Sequence, residues 1–247
     1  MPPEPHAGED AAPHPGNHRS EHRPEHRPEH RPHALSRIRH RTLPIMLALL
    51  GLLATYPLLD TPGKPTPLAA TALFAAVPLF GVCMLSHRLW IVVSMILAFA
   101  ATASLIFLSG GDTEHALGSW GGVLVLVFYA VATAAIARAV FASGGVLDDR
   151  VYGGVAVYIM LGIIFAVIFH RTGVRDPGAF TRTLAERAGQ PLNWADYLYL
   201  SFVTLTTMGY GDIVPSSSST RSLAILEGLV GILFPPVLIA RLVKKGT

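Results

Sequence analysis

Residues 201–215 read Ser-Phe-Val-Thr-Leu-Thr-Thr-Met-Gly-Tyr-Gly-Asp-Ile-Val-Pro, and this stretch decides the fold. It joins a moderately apolar stretch at 193–206 to a long apolar run at 221–243. The first stretch is too short to cross a bilayer, whereas the second is long enough. Asn193 can cap a helix at the start of the first stretch, with Asp196 in its first turn. We therefore predict a helix over 193–206 that enters the membrane only halfway, then an irregular segment, then a membrane span.

The composition indicates a membrane protein. Hydrophobic residues make up 51% of the 247 residues and charged residues 14%, whereas about a quarter are charged in a typical soluble domain. Residues 1–42 are rich in His, Arg and Pro, with three consecutive copies of Glu-His-Arg-Pro, and are predicted to form a disordered cytoplasmic tail. The rest predicts an all-α membrane protein with six transmembrane helices, at 43–59, 67–85, 89–109, 120–141, 151–169 and 221–243.

The positions of Lys and Arg predict the orientation of these spans, because short cytoplasmic loops are enriched in both residues. Nine of them lie near predicted span ends that fall on one side: Arg37, Arg39, Arg41, Arg88, Arg138, Arg150, Arg241, Lys244 and Lys245. Both termini are therefore predicted to be cytoplasmic, in a multi-pass protein of the plasma membrane, and the Ala-rich and Arg-rich usage favours a bacterial source. The segment 170–192 conflicts with this orientation, since it is predicted to be external yet carries Arg171, Arg175, Arg182 and Arg187.

The segment around the two glycines has the chemistry of an ion filter. A potassium ion leaves water only where other oxygens replace its hydration shell, and main-chain carbonyls aimed at one axis can do so. Alternating glycine permits the unusual backbone angles that this requires. The predicted K+ ligands are the carbonyls of Thr207, Met208, Gly209 and Tyr210, together with the Thr207 hydroxyl. One chain supplies one strip of ligands and a closed ring needs four, so a homotetramer is predicted.

Residues 201–215 resemble the pore loop of the potassium channel family, whose usual filter reads Thr-Val-Gly-Tyr-Gly; Met208 replaces the valine here. The resemblance implies a pore domain over 151–247, preceded by a four-helix transmembrane domain over 43–141. The parts of this pore domain would be an outer helix at 151–169, a pore helix at 193–206, a filter of Thr207, Met208, Gly209, Tyr210 and Gly211, and an inner helix at 221–243.

The same resemblance implies roles for residues around the filter. Asp212 would brace the filter from the extracellular side, and Thr206 and Tyr199 are predicted to support it. In small bacterial relatives a Glu and a Trp on the pore helix hold the filter's Asp. Val203 occupies the Glu position and Tyr199 the Trp position, so a bond from Tyr199 to Asp212 is predicted as the main tie. The inner helix would have a hinge at Gly231 and a bend at Pro235 and Pro236.

Two further charged residues bear on mechanism. A voltage sensor needs a ladder of basic residues, but the fourth span has Arg138 alone, at its predicted cytoplasmic end. The chain thus resembles a bacterial six-span type without the sensor's arginine ladder, and spans one to four are predicted to serve packing, lipid sensing or tension sensing. Glu227 is an acid well inside a span. It is predicted to line the cavity and attract cations, to pair with a hydroxyl behind the filter, such as that of Ser201 or Thr204, or to be a neutral, hydrogen-bonded core residue.

The function that follows from these features is passive conduction of K+ by a potassium-selective channel. No enzyme activity and no cofactor besides the transported K+ are expected, and the expected partners are membrane lipid and further copies of the chain. The formal charge of +3 is too small to suggest nucleic-acid binding, and the single Cys83 allows no disulfide within one chain. The alternatives are a non-selective cation channel, a potassium transporter subunit, or a non-conducting sensor on a channel-like scaffold.

Overall fold

The computed structural model of the protein describes residues 42–59, 120–141, 147–184 and 190–243, with a few separate residues between 76 and 103. Its helices are α1 (Leu43–Leu59), α2 (Trp120–Phe141), α3 (Leu147–Arg175), α4 (Trp194–Leu205) and α5 (Ser218–Val243), and two short strands are β1 (Phe180–Arg182) and β2 (Ile213–Pro215). The predicted tail at 1–42, apart from its last residue, lies outside the described residues. The predicted spans at 67–85 and 89–109 also fall outside them, except for those separate residues.

Three of the described helices, α2, α3 and α5, are long and apolar enough to cross a membrane. α1 is apolar but shorter, and it has the bounds predicted for the first span. α3 extends beyond the predicted 151–169 at both ends. Asp148 and Asp149 lie in its first turn and Arg175 in its last, so charges of the favourable sign stabilise both extensions against the helix dipole. α5 likewise begins before the predicted 221, where the Ser217 hydroxyl accepts a hydrogen bond from Thr220 N at 3.3 Å.

Helices α1, α2 and α5 all pack against α3. The interface is a cluster of apolar side chains with no exposed surface, including Ile45 from α1, Ile136 from α2, and Met160 and Ile163 from α3. Burying side chains of this size contributes about 1.5–3 kcal/mol each in water, although within a bilayer close packing provides much of the attraction. α3 is thus the central helix of the described structure.

Polar contacts at the start of α3 fix the ends of its neighbours. The Thr42 hydroxyl donates to Asp149 O at 2.5 Å, and Thr42 N donates to the Asp149 carboxylate at 3.1 Å. Arg150 Nε donates to Val140 O at 2.9 Å, which satisfies a carbonyl in the last turn of α2. Consecutive residues of α3 therefore hold the first residue before α1 and the end of α2.

The strands position α4. β1 and β2 pair antiparallel, with Phe180 opposite Pro215 and Arg182 opposite Ile213. A second apolar cluster lies beneath them and joins α3, α4 and both strands, through Phe169, Ala179, Phe180, Tyr197, Leu200 and Ile213. The chain on either side of α4 is therefore held together, and α4 is packed against α3 within that frame.

Candidate ion-conduction site

The start of α4 is fixed by a capping box and an ion pair. The Asn193 side chain accepts from Asp196 N at 3.0 Å, and the Asp196 carboxylate accepts from Asn193 N at 2.8 Å, which confirms the predicted cap. Arg182 of β1 makes an ion pair with the same carboxylate, and both side chains are largely buried. One of the four arginines that conflict with the predicted orientation is thus neutralised inside the fold.

The end of α4 sets the start of the predicted filter (residues 207–211). Met208 N donates to Val203 O at 2.9 Å, so the chain turns back on the last turn of the helix. The Thr206 hydroxyl donates to Phe202 O at 2.6 Å, which is a backbone-capping contact. Thr206 therefore contacts the helix end from which the predicted filter starts, and its predicted support of the filter stays a prediction.

The backbone of the predicted filter alternates between left-handed and ordinary conformations. Thr207, Gly209 and Gly211 have φ angles of +61°, +53° and +77°, whereas no other described residue besides these three has a positive φ. Glycine adopts such angles freely, but a β-branched residue does not, so Thr207 stores roughly 1–3 kcal/mol of strain. In a uniform strand successive carbonyls face opposite sides. Reversing the handedness at every second residue allows successive carbonyls to face the same side, as a line of ion ligands needs.

The far end of the predicted filter is tied to the chain before α4. The Thr183 hydroxyl donates to Gly211 O at 2.6 Å, and Thr183 N donates to Asp212 O at 2.9 Å, which continues the β1–β2 pairing. The carbonyl of Gly211, the last residue of the predicted filter, thus accepts a hydrogen bond from its own chain. The K+ ligands predicted from the sequence were the carbonyls of Thr207 to Tyr210, and they exclude this one.

Tyr199 lies beside the same end. Its ring is stacked on that of Tyr210, with centroids 6.4 Å apart and planes 4° from parallel. Burial and a hydrogen-bonding interaction with the Asp212 carboxylate raise the pKa of Tyr199 to about 12. Tyr199 and Asp212 line one cleft of about 330 Å³, together with Arg182, Leu184, Asp196 and Ile213. The structure therefore brings together the two residues predicted to form the main tie, and at the same end it shows the bond from Thr183 to Gly211.

Behind α4 lies a buried polar contact of three helices. The Ser201 hydroxyl oxygen is 2.5 Å from Glu227 Oε1 on α5 and 2.6 Å from Gly162 O on α3. Ser201 and Glu227 have no exposed surface. Of the roles predicted for Glu227, the structure shows pairing with a hydroxyl, and Ser201 rather than Thr204 is the partner.

Gly231 faces the end of α4 at close range. A Cβ atom at Gly231 would lie 1.9 Å from Leu205 O, which is far inside van der Waals contact. The same carbonyl accepts from the Tyr158 hydroxyl of α3 at 3.0 Å. Gly231 is therefore the point at which α5 and α4 approach each other. α5 continues as a helix through Gly231 and through Pro235 and Pro236, the other residues predicted to bend it.

Sequence reasoning missed Thr183 and Arg182, because a three-residue strand leaves little trace and its partner is far along the chain. An extended segment is indicated locally only by an alternation of larger side chains with threonine, at Phe180, Thr181, Arg182, Thr183 and Leu184. The role of Gly162 could not have been predicted either, since it acts through its main-chain carbonyl.

Comparison with known proteins agrees with this geometry. A family model described as "Ion channel" matches residues 157–247. Protein LctB of Geobacillus stearothermophilus is 32% identical over 123 residues, which cover 49% of this chain and 91% of that protein. Protein LctB of Bacillus caldotenax is 34% identical over 96 residues, which cover 38% of this chain and 71% of that protein.

A plant channel is also similar over a shorter region. Two-pore potassium channel 4 of Arabidopsis thaliana is 46% identical over 51 residues, which cover 21% of this chain and 18% of that protein. No solved structure matches the chain. The match to most of the LctB protein shows that this chain belongs to the same family as the LctB proteins, and the match to the family model shows that residues 157–247 form an ion channel domain of a membrane protein.

Proposed function

We propose that this chain is one subunit of a potassium-selective channel, in which four copies surround a pore and K+ passes through without any chemical reaction. The observation that carries the proposal is the alternation of positive φ at Thr207, Gly209 and Gly211 between a half-length helix and a full-length one. That backbone would allow successive carbonyl oxygens to face one side, and such oxygens can replace the hydration shell of K+. The K+ ligands would be the carbonyls of Thr207 to Tyr210 and the Thr207 hydroxyl.

The exposure of the predicted filter supports assembly into a ring. Met208 is 60% exposed and Tyr210 64% exposed in the single chain, and a Cβ atom at Gly209 or Gly211 would meet nothing within 4 Å. Irregular backbone at membrane depth cannot face lipid, because its polar groups would lose their hydrogen bonds. Further copies of the same segment, with water and ions on their common axis, would cover it. Four copies provide the square of oxygens at each level that K+ coordination needs.

The remaining features of the proposal concern topology. The described spans α2, α3 and α5, with α1 and the two predicted spans that fall largely outside the described residues, would give six spans per subunit. Helices before 141 would form a separate four-helix domain, and residues 151–247 the pore domain. With both termini in the cytoplasm of a bacterial cell, the Gly211 end of the predicted filter would face the outside.

The direct test is ion flux through the purified full-length protein in liposomes. We expect K+ to pass at least tens of times faster than Na+ and the flux to follow the K+ gradient alone. Equal rates for the two ions would indicate a non-selective cation channel, and no flux would indicate a sensor. Flux that requires a second solute or an energy source would indicate a transporter subunit. Tyr210→Asp is a matched variant, since it should admit Na+ while leaving the protein in the membrane.

A further inference from the structure

The buried contact among Gly162, Ser201 and Glu227 contains two short oxygen–oxygen distances, and the Ser201 hydroxyl supplies a hydrogen for only one of them. A serine hydroxyl carries one hydrogen, and a main-chain carbonyl can only accept. Ser201 Oγ nevertheless lies within 2.6 Å of both Gly162 O and Glu227 Oε1. Two oxygen–oxygen contacts this short need two hydrogens, because a pair of oxygens without a hydrogen between them repels. The second hydrogen has to come from Glu227.

We infer that Glu227 is a protonated carboxylic acid whose hydrogen on Oε1 is donated to Ser201 Oγ, while Ser201 donates its own hydrogen to Gly162 O. Each hydrogen then has one acceptor, and the chain of bonds runs from α5 through α4 to α3. Glu227 acts on ion conduction through Ser201, so it is a positioning residue. In this role it holds the middle of α4, six residues before the predicted filter begins.

The surroundings of Glu227 agree with a neutral side chain. It has no exposed surface, and its second oxygen, Oε2, has no hydrogen-bond partner among the described residues. An ionised carboxylate at such a place needs a cation and several donors. The ion pair of Arg182 with Asp196 lies at the start of α4 and does not include Glu227.

Among the residues that the structure describes, the polar groups that face Glu227 are uncharged. From α4 the group is the Ser201 hydroxyl, and from α3 it is the Tyr158 phenol, which is near enough to interact electrostatically with Glu227. The Tyr158 hydroxyl donates to Leu205 O at 3.0 Å, at the end of α4. A negative charge on Glu227 would therefore act on two contacts that hold α4, and it would remove the hydrogen that Glu227 donates to Ser201. We expect conduction to fall when Glu227 loses its proton.

The first experiment detects the proton itself and does not depend on conduction. Infrared spectra of the purified full-length protein at neutral pH should show the C=O stretch of a hydrogen-bonded carboxylic acid. That band should be absent from Glu227→Gln, and in Ser201→Ala it should move to the position of an acid that lacks an acceptor. If the difference between the wild-type spectrum and the Glu227→Gln spectrum contains no carboxylic acid band, the inference is overturned.

The second experiment measures K+ flux from liposomes against pH, and it rests on the proposed function. Wild-type flux should fall by roughly tenfold at alkaline pH, the rate factor that goes with one buried hydrogen bond. Glu227→Gln keeps a donor for Ser201 that cannot ionise, so it should conduct and should not show the fall. Glu227→Val, which has no donor, should conduct poorly at every pH.

The two failures can be told apart. If the acid band is present but no sample conducts K+, the proposed function is wrong and the assignment of the proton stands. If wild type and Glu227→Gln lose flux at the same pH, or if Glu227→Gln conducts as poorly as Glu227→Val, the positioning role is wrong.

Discussion

The hydroxyl of Thr183 donates a hydrogen bond of 2.6 Å to the carbonyl of Gly211, and thereby joins the chain before α4 to the last residue of the predicted filter. The bond occupies an oxygen that would otherwise be free at the mouth of the proposed pore. It also continues the pairing of β1 with β2, so that the filter's outer end is an extension of a strand ladder. The Gly211 end of the predicted filter is thus held by the segment that precedes α4.

Loss of the Thr183 hydroxyl should loosen this end. Thr183→Val keeps the shape of the side chain but removes a bond that contributes about 0.5–1.5 kcal/mol. We expect K+ current in planar bilayers to decay several-fold faster during sustained opening. Thr181→Val is the matched control, because the Thr181 hydroxyl contacts Ser216 and not the predicted filter. Equal decay in the two variants would show that the Thr183 bond does not hold the filter.

Tyr199→Phe tests the other tie at the same end. The change removes the hydroxyl that interacts with Asp212 and keeps the ring that stacks on Tyr210. Current decay should again be faster, whereas Val203→Ala should leave it unchanged because Val203 offers the Asp212 carboxylate no hydrogen bond. The measurement is the decay constant of the macroscopic current, and similar constants for the two variants would contradict the tie.

The pH dependence of this tie should differ from that of Glu227. The pKa of Tyr199 is raised from 10 to about 12, so the interaction contributes stability that is complete below pH 10 and is lost only as the pH rises through about 12. A fall in flux at milder alkaline pH therefore cannot come from Tyr199. Tyr199→Phe should speed current decay at every pH without changing the pH at which flux falls. Repeating the flux titration on that variant checks this.

Gly231→Ala should disrupt the fold. Its Cβ would meet Leu205 O at 1.9 Å, and main-chain atoms on both sides would have to move, at a cost of about 1–3 kcal/mol or more. We expect a lower yield of folded protein and a lower thermal midpoint. Gly228→Ala is the control, since its Cβ would meet nothing within 4 Å of the chain and alanine favours a helix. If Gly231→Ala folds normally and only its open probability changes, Gly231 is a hinge, as the family resemblance implied.

Voltage should have little effect on opening. Arg138 is the only basic residue of α2, and its side chain is exposed near the end of the helix. A single charge there supplies at most about 2.3 kcal/mol per 100 mV, and a charge at the membrane edge crosses only a fraction of the field. Open probability should change little between roughly −100 and +100 mV in wild type and in Arg138→Gln. A steep conductance–voltage relation would contradict this prediction.

Local signals in the sequence were sufficient for much of this structure. The Asn193 and Asp196 cap predicted where α4 begins, since both partners lie within one turn of each other. The glycine alternation predicted the unusual backbone of residues 207–211, because the required φ angles are a property of single residues. Length and hydropathy predicted the positions of α1 and α2, because the thickness of the bilayer sets the length of an apolar helix that crosses it.

The features that were not predicted depend on contacts between distant residues. The bond from Thr183 to Gly211 joins positions 28 residues apart, and Ser201 meets Gly162 across 39 residues. Neither hydroxyl differs in sequence from an ordinary surface threonine or serine. Gly231 was expected to be a hinge, which stays a prediction, and its close approach to Leu205 O was not expected, because no single-sequence pattern shows the surface of another helix.

The pairing of β1 with β2 also bears on how the protein assembles. It closes a loop that contains α4 and the predicted filter, and the entropy lost in confining that loop is compensated by contacts within one chain, such as the ion pair of Arg182 with Asp196. Isolated subunits should therefore reach the bilayer with this loop already shaped. If four subunits assemble as proposed, each would bring its pore segment already folded. The rate of assembly would then be set by encounters of subunits in the plane of the membrane and not by slow ordering of the predicted filter.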